Sequence, residues 1–379
     1  GAHEGERLDV DGDRIQPGHL HRLDAAVDHI ERRGDEEQVE LKRYETLHLL
    51  GTGADYEVRA ALDRDTGRQV VIKRPTPETV RHRLHDSVET RTERMLRAHQ
   101  TVGNRLPMLV PILGYTERAN HDAYFGENLG QTYRVMVEER AVGIPLMSDF
   151  KARFTGVPIG VGQNLFALFP LLQSAEVPPF AIHRQLLDLE EAFIQAGYLL
   201  LDLRPHNVFY QPASGRITVV DCGALIDDEL RAKNAAERRP RVMPTVHDFY
   251  LEMMKFYTTP QVPPVDVNGY KEPHGVRPVV NLEHELQQLS LQFQGVQATS
   301  VREAALTLLH GIRRRTYDTF ADFRRDLMSY LDTVHSEHAS LPNLEDVQQV
   351  WGQALDWLRA DHWQRYLFQP DTELAALQP

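Results

Sequence analysis

The alternation of apolar and polar positions gives the chain two distinct textures. Between Tyr44 and residue 74 three short runs, ETLHLL, YEVRAALD and RQVVIKR, carry β-branched and aromatic residues, broken by turns at Gly51/Gly53 and Asp65-Thr66-Gly67. LVPILGYTE and TYRVMVEE read as two more strands, after a long, highly charged helix over Thr79–Val102. An antiparallel meander of five strands with one helix therefore fills residues 44–139. Further on, the period becomes helical. Ile182, Leu186, Leu189 and Phe193 fall on one stripe, which starts after Pro179 and stops at Gly197. ITVVDCG (217–223) reads as a buried strand, and segments 248–258, 282–294, 301–312 and 319–334 as amphipathic helices. The expected organisation is α+β: an N-terminal extension (1–43), a β-rich lobe (44–139), a larger, mainly helical lobe (140–334) entered through a hinge near Glu138–Gly143, and a C-terminal helical extension (335–379).

Composition narrows the function classes. The 379 residues are 41% hydrophobic and 26% charged, a globular mixture. The 55 acidic residues outnumber the 42 basic ones, and the net charge of −13 repels phosphate backbones, which argues against nucleic-acid binding. No apolar run approaches the ~18 residues of a membrane span, so no membrane contact and a cytoplasmic setting are expected. The single cysteine, Cys222, excludes intramolecular disulfides and cysteine-based zinc sites. Only positions 42, 73, 151, 233, 255 and 271 are lysine; arginine supplies the remaining positive charge.

Three segments carry chemistry. LGTGADYEV (50–58) places Gly51 and Gly53 in a β-turn-β setting, where backbone N–H groups can approach phosphate oxygens; a tight hairpin would use the same residues. Lys73 closes the apolar run VVIK. A charge there must be solvated or paired. In a chain that favours arginine, it suits a compact ammonium facing phosphates, or else an edge-strand lysine reaching water. LLLDLRPHNVFY (199–210) and ITVVDCG bring Asp202, Asn207 and Asp221 within twenty residues. Such a set offers a carboxylate to accept a hydroxyl proton and hard oxygen ligands for Mg²⁺.

In this order and spacing, GxG, VVIK, DLRPHN and DCG resemble the protein-kinase signature set. The resemblance covers roughly residues 44–334 and implies a bilobal protein-kinase-like fold using ATP and Mg²⁺. It implies that Lys73 contacts the ATP phosphates and pairs with Glu93, or with Glu89 one turn earlier. It makes Asp202 the catalytic base, Asn207 and Asp221 the metal ligands, and Arg204 a γ-phosphate contact in place of the usual lysine. Adenine would lie between Val58 and Val71 above and Phe209 below, bonded to the backbone around Glu138–Arg140.

The departures from the pattern bear on function. Tyr56 replaces the third glycine, Leu200-Leu201 the His-Arg before the base, and Cys222 the phenylalanine beside Asp221. From Asp221 to Pro244 there is no Ser, Thr or Tyr, so activation-segment phosphorylation is not expected to control activity. A clean Ala-Pro-Glu is also missing. The expected function is Mg-ATP-dependent phosphoryl transfer to a hydroxyl, of the protein Ser/Thr type. The alternatives are a pseudokinase acting as a nucleotide-binding or scaffolding module, and a small-molecule kinase; the acceptor, protein or small molecule, is open. Trp351, Trp357 and Trp363 all fall in the C-terminal extension, where Leu344, Val347, Trp351, Ala354 and Leu358 form a stripe behind Asn343. That stripe packs onto the helical lobe or offers a partner or dimer contact.

Overall fold

The computed structural model describes residues 40–53, 55–77, 87–103, 106–141, 144–145, 180–201, 203, 207–211, 214–236, 245–258, 281–340 and 345. The N-terminal extension up to residue 39, the three tryptophans with their stripe, and Asp202 and Arg204 lie outside that set. The chain is α+β, and its contacts group it into two units. One runs up to Gly143 and includes Thr218–Leu225; the other holds Ile144–Ile217 and continues from Ile226. Among the described residues no helix is long and apolar enough to cross a membrane.

The first unit is built on strands β1 (Tyr44–Thr52), β2 (Tyr56–Asp63), β3 (Gln69–Pro75), β4 (Ile112–Tyr115) and β5 (Met136–Glu139). They form one antiparallel sheet in the order β1-β2-β3-β5-β4. Side chains alternate across a strand, so β3 presents two different faces. Val70 and Ile72 pack with Tyr44, Ala61, Val135 and Val137 on one. Val71 and Lys73 take the other, opposite Glu138 and Met136 of β5. Met136 packs there with Val88, Met95 and Leu96 of helix α1 (Val88–Val102). The Ser87 hydroxyl accepts the Thr90 N–H at 3.2 Å and caps that helix.

Between β4 and β5 lies a short helix, α2 (Asp122–Phe125), that the sequence pattern does not announce. It belongs to a network around Arg74, which is 1% exposed. Arg74 donates to Glu127 at 2.7 Å and to the Tyr133 hydroxyl at 2.9 Å, with its guanidinium 3.7 Å from the Phe125 ring centroid. This satisfies the buried charge from three sides and fastens the β4–β5 connection to the sheet.

The second unit is mainly helical: α3 (Ala181–Gln195), α4 (Asp228–Ala236), α5 (Val246–Tyr257), α6 (Leu282–Gln294), α7 (Thr299–Arg314) and α8 (Phe320–Ala339). Ile182, Leu186, Leu189 and Phe193 are all fully buried on α3, as their spacing requires. A capping box between Thr245 and Asp248 starts α5. Tyr250 stacks on Phe323 with centroids 4.6 Å apart, joining α5 to α8, and Arg324 ties α8 to Asp188 and Glu191 of α3. A Cβ at Gly311 would fall 2.5 Å from the Tyr317 ring, so that approach admits only glycine. Short strands β6 (Ile144–Pro145) and β7 (Val208–Tyr210) pair antiparallel, Pro145 opposite Phe209.

Candidate functional site

Lys73 is 3% exposed on the α1-covered face of the sheet, paired across β3 with Val58 and Met136. Its ammonium meets two carboxylates. Asp221 Oδ1 lies at 3.2 Å and Glu138 Oε1 at 3.9 Å. The Tyr56 ring covers another side, its centroid 4.8 Å from Nζ. Burial works against the charge, yet Glu138 and then Asp221 outweigh it and hold Lys73 above the ordinary lysine value. Glu138 is itself buried, and that burial pushes its carboxyl upward despite the pull of Lys73.

Asp221 reaches this cluster from far along the chain because the strand before it docks on the sheet unit. Val219 N–H donates to Met108 O at 2.6 Å, and Val110 N–H to Val219 O at 3.1 Å. At Asp221 the backbone turns with φ +60°, a left-handed conformation that aspartate tolerates better than most residues. Gly223 follows, where an added Cβ would lie 3.0 Å from Met95 Sδ. The Asp-Cys-Gly turn is thus pressed against α1, and the Asp221 side chain stays about half exposed at 49%.

The glycine turn is built differently. Gly53 N–H donates to Tyr56 O at 2.8 Å, which closes the β1–β2 connection. A Cβ on Gly51 would meet nothing within 4 Å, and one on Gly53 only Tyr56 O at 3.7 Å. Neither glycine has a positive φ. Packing and backbone conformation therefore leave both positions open to larger residues. The loop is tied to α1 through the Tyr56 hydroxyl and Thr92 Oγ1, 2.5 Å apart, and through Arg91 and Asp55 at 2.8 Å.

The structure thus brings together Lys73, Asp221 and Glu138, with Gly51, Val58 and Val71 on the adjoining strands: Val58 opposes both Gly51 and Lys73, and Val71 opposes Glu138. Arg140, just after β5, donates to Gln69 at 3.0 Å, and burial lowers its guanidinium to about 10. Glu93 is not beside Lys73. It pairs with Arg134 at 2.5 Å, and Glu89 pairs with Arg118. The reason is the phase of α1. Val88, Thr92, Arg94, Met95, Leu96, Ala98 and Val102 are its buried residues, and Glu93 sits about 100° round from Thr92, outside the arc they cover. Asn207 is buried just before β7 and Phe209 is half-buried within it, both in the helical unit. Asp202 and Arg204 fall outside the described residues.

Two neighbours of Lys73 are absent from the sequence expectation in these roles. Glu138 was expected to offer its backbone, and Tyr56 only to stand in place of a third glycine. A signal for Glu138 existed: period two in MVEE puts Met136 and Glu138 on one face, so a glutamate has to turn inward. Chemically, the cluster pairs an ammonium with a half-exposed hard-oxygen donor, beside a loop with unfilled room above its backbone. Among the described residues no group of three His, Cys, Asp or Glu side chains is assembled for a metal. The Asp221 carboxylate nevertheless suits Mg²⁺, which takes one or two carboxylates together with substrate phosphates. Neither the models of known protein families nor the curated proteins give a match to this chain.

Proposed function

We propose that the chain is an Mg-ATP-dependent phosphotransferase with a bilobal protein-kinase-like fold, transferring phosphoryl to a hydroxyl of the protein Ser/Thr type. The observation that carries this reading is the ion pair between Lys73 and Asp221, 3.2 Å apart across 148 residues of sequence. A phosphate-binding lysine and a metal-binding aspartate must act on one triphosphate, and these two side chains share one place. The open space over Gly51 and Gly53 supports the same reading. In it, Lys73 and the loop hold phosphates, Asp221 and Asn207 hold Mg²⁺, and Asp202 accepts the acceptor's proton. Bound Mg²⁺ would neutralise charge on the transferring phosphoryl group.

One observation favours a second reading, a pseudokinase. Lys73 is enclosed by Tyr56, Glu138 and Asp221, so its charge is already satisfied without a nucleotide. A lysine so placed also serves as a purely structural cation. Thermal-shift titration with Mg-ATP tests the shared requirement of nucleotide binding. The phosphotransferase reading expects a saturable stabilisation, lost in Lys73→Ala relative to that variant's own baseline. No shift at millimolar nucleotide counts against it and favours a scaffold.

A further inference from the structure

We infer that Glu138, reaching in from strand β5, is the positioning residue that fixes Lys73, so that the hold on this lysine comes from the sheet and not from helix α1. The inference deepens the phosphotransferase reading and rests on it for its functional meaning; the geometry behind it does not. Four observations carry it. Glu138 is 6% exposed and lies on the same face of the sheet as Lys73, one strand away. Its Oε1 stands 3.9 Å from Nζ, within ion-pair reach. The nearer partner, Asp221, is a weaker anchor, because its side chain is half exposed and its backbone sits at φ +60° at the head of a turn. Finally, α1 offers Lys73 no carboxylate among the described residues, since Glu89 and Glu93 pair with Arg118 and Arg134.

The division of labour follows from burial. A carboxylate on a central strand is held by ladder hydrogen bonds on both sides, so its position hardly varies. A half-exposed carboxylate on a turn can leave the ammonium to bind a metal ion, and Glu138 would then be the carboxylate that stays with Lys73. An anchor in the sheet also uncouples Lys73 from α1. Movement of α1 would reach the site through the Tyr56–Thr92 hydrogen bond and through the Asp221 turn packed on Met95, and would leave Glu138 in place.

The test reads the Lys73 ammonium directly. In protein labelled with ¹⁵Nζ-lysine there are only six side chains to resolve, and Lys73→Arg identifies the resonance. At fixed neutral pH a buried, paired ammonium exchanges slowly enough to give a ¹H–¹⁵N cross-peak, while a hydrated one does not. The expected result is a Lys73 cross-peak in the wild type that is lost in Glu138→Gln and stays in place in Glu93→Gln and Glu89→Gln. A Lys73 cross-peak unchanged by Glu138→Gln, or displaced by Glu93→Gln, overturns the inference. If circular dichroism shows that Glu138→Gln does not fold, Glu138→Asp replaces it: a carboxylate one carbon shorter should shift the cross-peak, and an unmoved one overturns the inference. Adding Mg-ATP to the wild type examines the nucleotide reading separately. A silent Lys73 resonance there counts against nucleotide binding and leaves the anchoring by Glu138 standing.

Discussion

The Tyr56 hydroxyl and the Thr92 hydroxyl lie 2.5 Å apart, a buried hydrogen bond that joins the loop after Gly53 to the inner face of α1. Thr92 also donates to Val88 O at 2.7 Å, so in this pair Tyr56 is the donor. Tyr56→Phe removes that donor and leaves Thr92 an accepting oxygen without a proton. The expected cost is about 1 kcal/mol, the usual net worth of one hydrogen bond. Thr92→Val should cost more, since it strands the tyrosine hydroxyl in an apolar place. Denaturant midpoints of both single variants and the double variant measure the coupling, which should be non-additive. Strict additivity would mean that the contact contributes nothing.

The glycine turn separates structural from functional demand. Gly51→Ala and Gly53→Ala meet open space at an ordinary φ, so stability should hold or rise by roughly 0.4–1 kcal/mol through a less flexible unfolded chain. Affinity for Mg-ATP should fall, because each methyl group takes room that the phosphate reading assigns to the ligand. Melting temperature and nucleotide titration on the same samples check this. A drop in stability with unchanged affinity would make the glycines ordinary hairpin residues.

Two histidines set an acid limit. Burial lowers His99 from 6.5 to about 4, with Lys73 adding to the effect against a hydrogen bond to Met95 O. Burial lowers His183 from 6.5 to about 3. Both are neutral when folded and protonate near 6.5 when unfolded, so the unfolded chain takes up protons first as pH falls. Stability should therefore drop below pH 6.5, at up to about 1.4 kcal/mol per pH unit for each histidine. For His99 the loss levels off near pH 4 and for His183 near pH 3. Denaturation midpoints from pH 7 to pH 4 follow it, and replacing His183 with glutamine should flatten the slope. An unchanged slope would show that His183 is accessible to protons in the folded state.

Glu190 works in the opposite direction. It is fully buried on α3, and among the described residues neither carboxyl oxygen has a hydrogen-bond partner. Burial raises it well above 4.5, so the fold keeps it protonated, and stability is lost as pH rises from 4.5 towards the raised value. Glu190→Met removes an unpaired buried acid at similar volume and should stabilise by roughly 1–3 kcal/mol at pH 8. At pH 5 the gain should be smaller. A loss of stability at pH 8 would mean that the carboxyl is required by its surroundings.

Periodicity made much of this fold legible. The α3 stripe is buried as spaced, helices α5 to α8 lie within a few residues of their expected places, and all five sheet strands form. What the pattern did not disclose depends on partners far apart in the chain. The Arg74 network needs Glu127 and Tyr133 from the β4–β5 connection, which no local signal links to β3. The expected pairing of Lys73 with Glu93 is not formed, because position along a very polar helix does not give its phase. Val88, Thr92, Met95, Leu96 and Val102 fix that phase, and Glu138 shares a face with Met136. Gly51 and Gly53 by themselves read more readily as a hairpin than as a phosphate loop, and the open space above them fits either.

The central claim is that this chain transfers phosphoryl groups, and turnover of γ-labelled Mg-ATP by the wild type beside Asp202→Ala tests it most directly. If Asp202 accepts the proton of the acceptor hydroxyl, the variant should still bind Mg-ATP and lose roughly 10²–10⁴ in rate. Equal turnover in the two proteins, with nucleotide bound by both, would contradict the account and leave a nucleotide-binding pseudokinase.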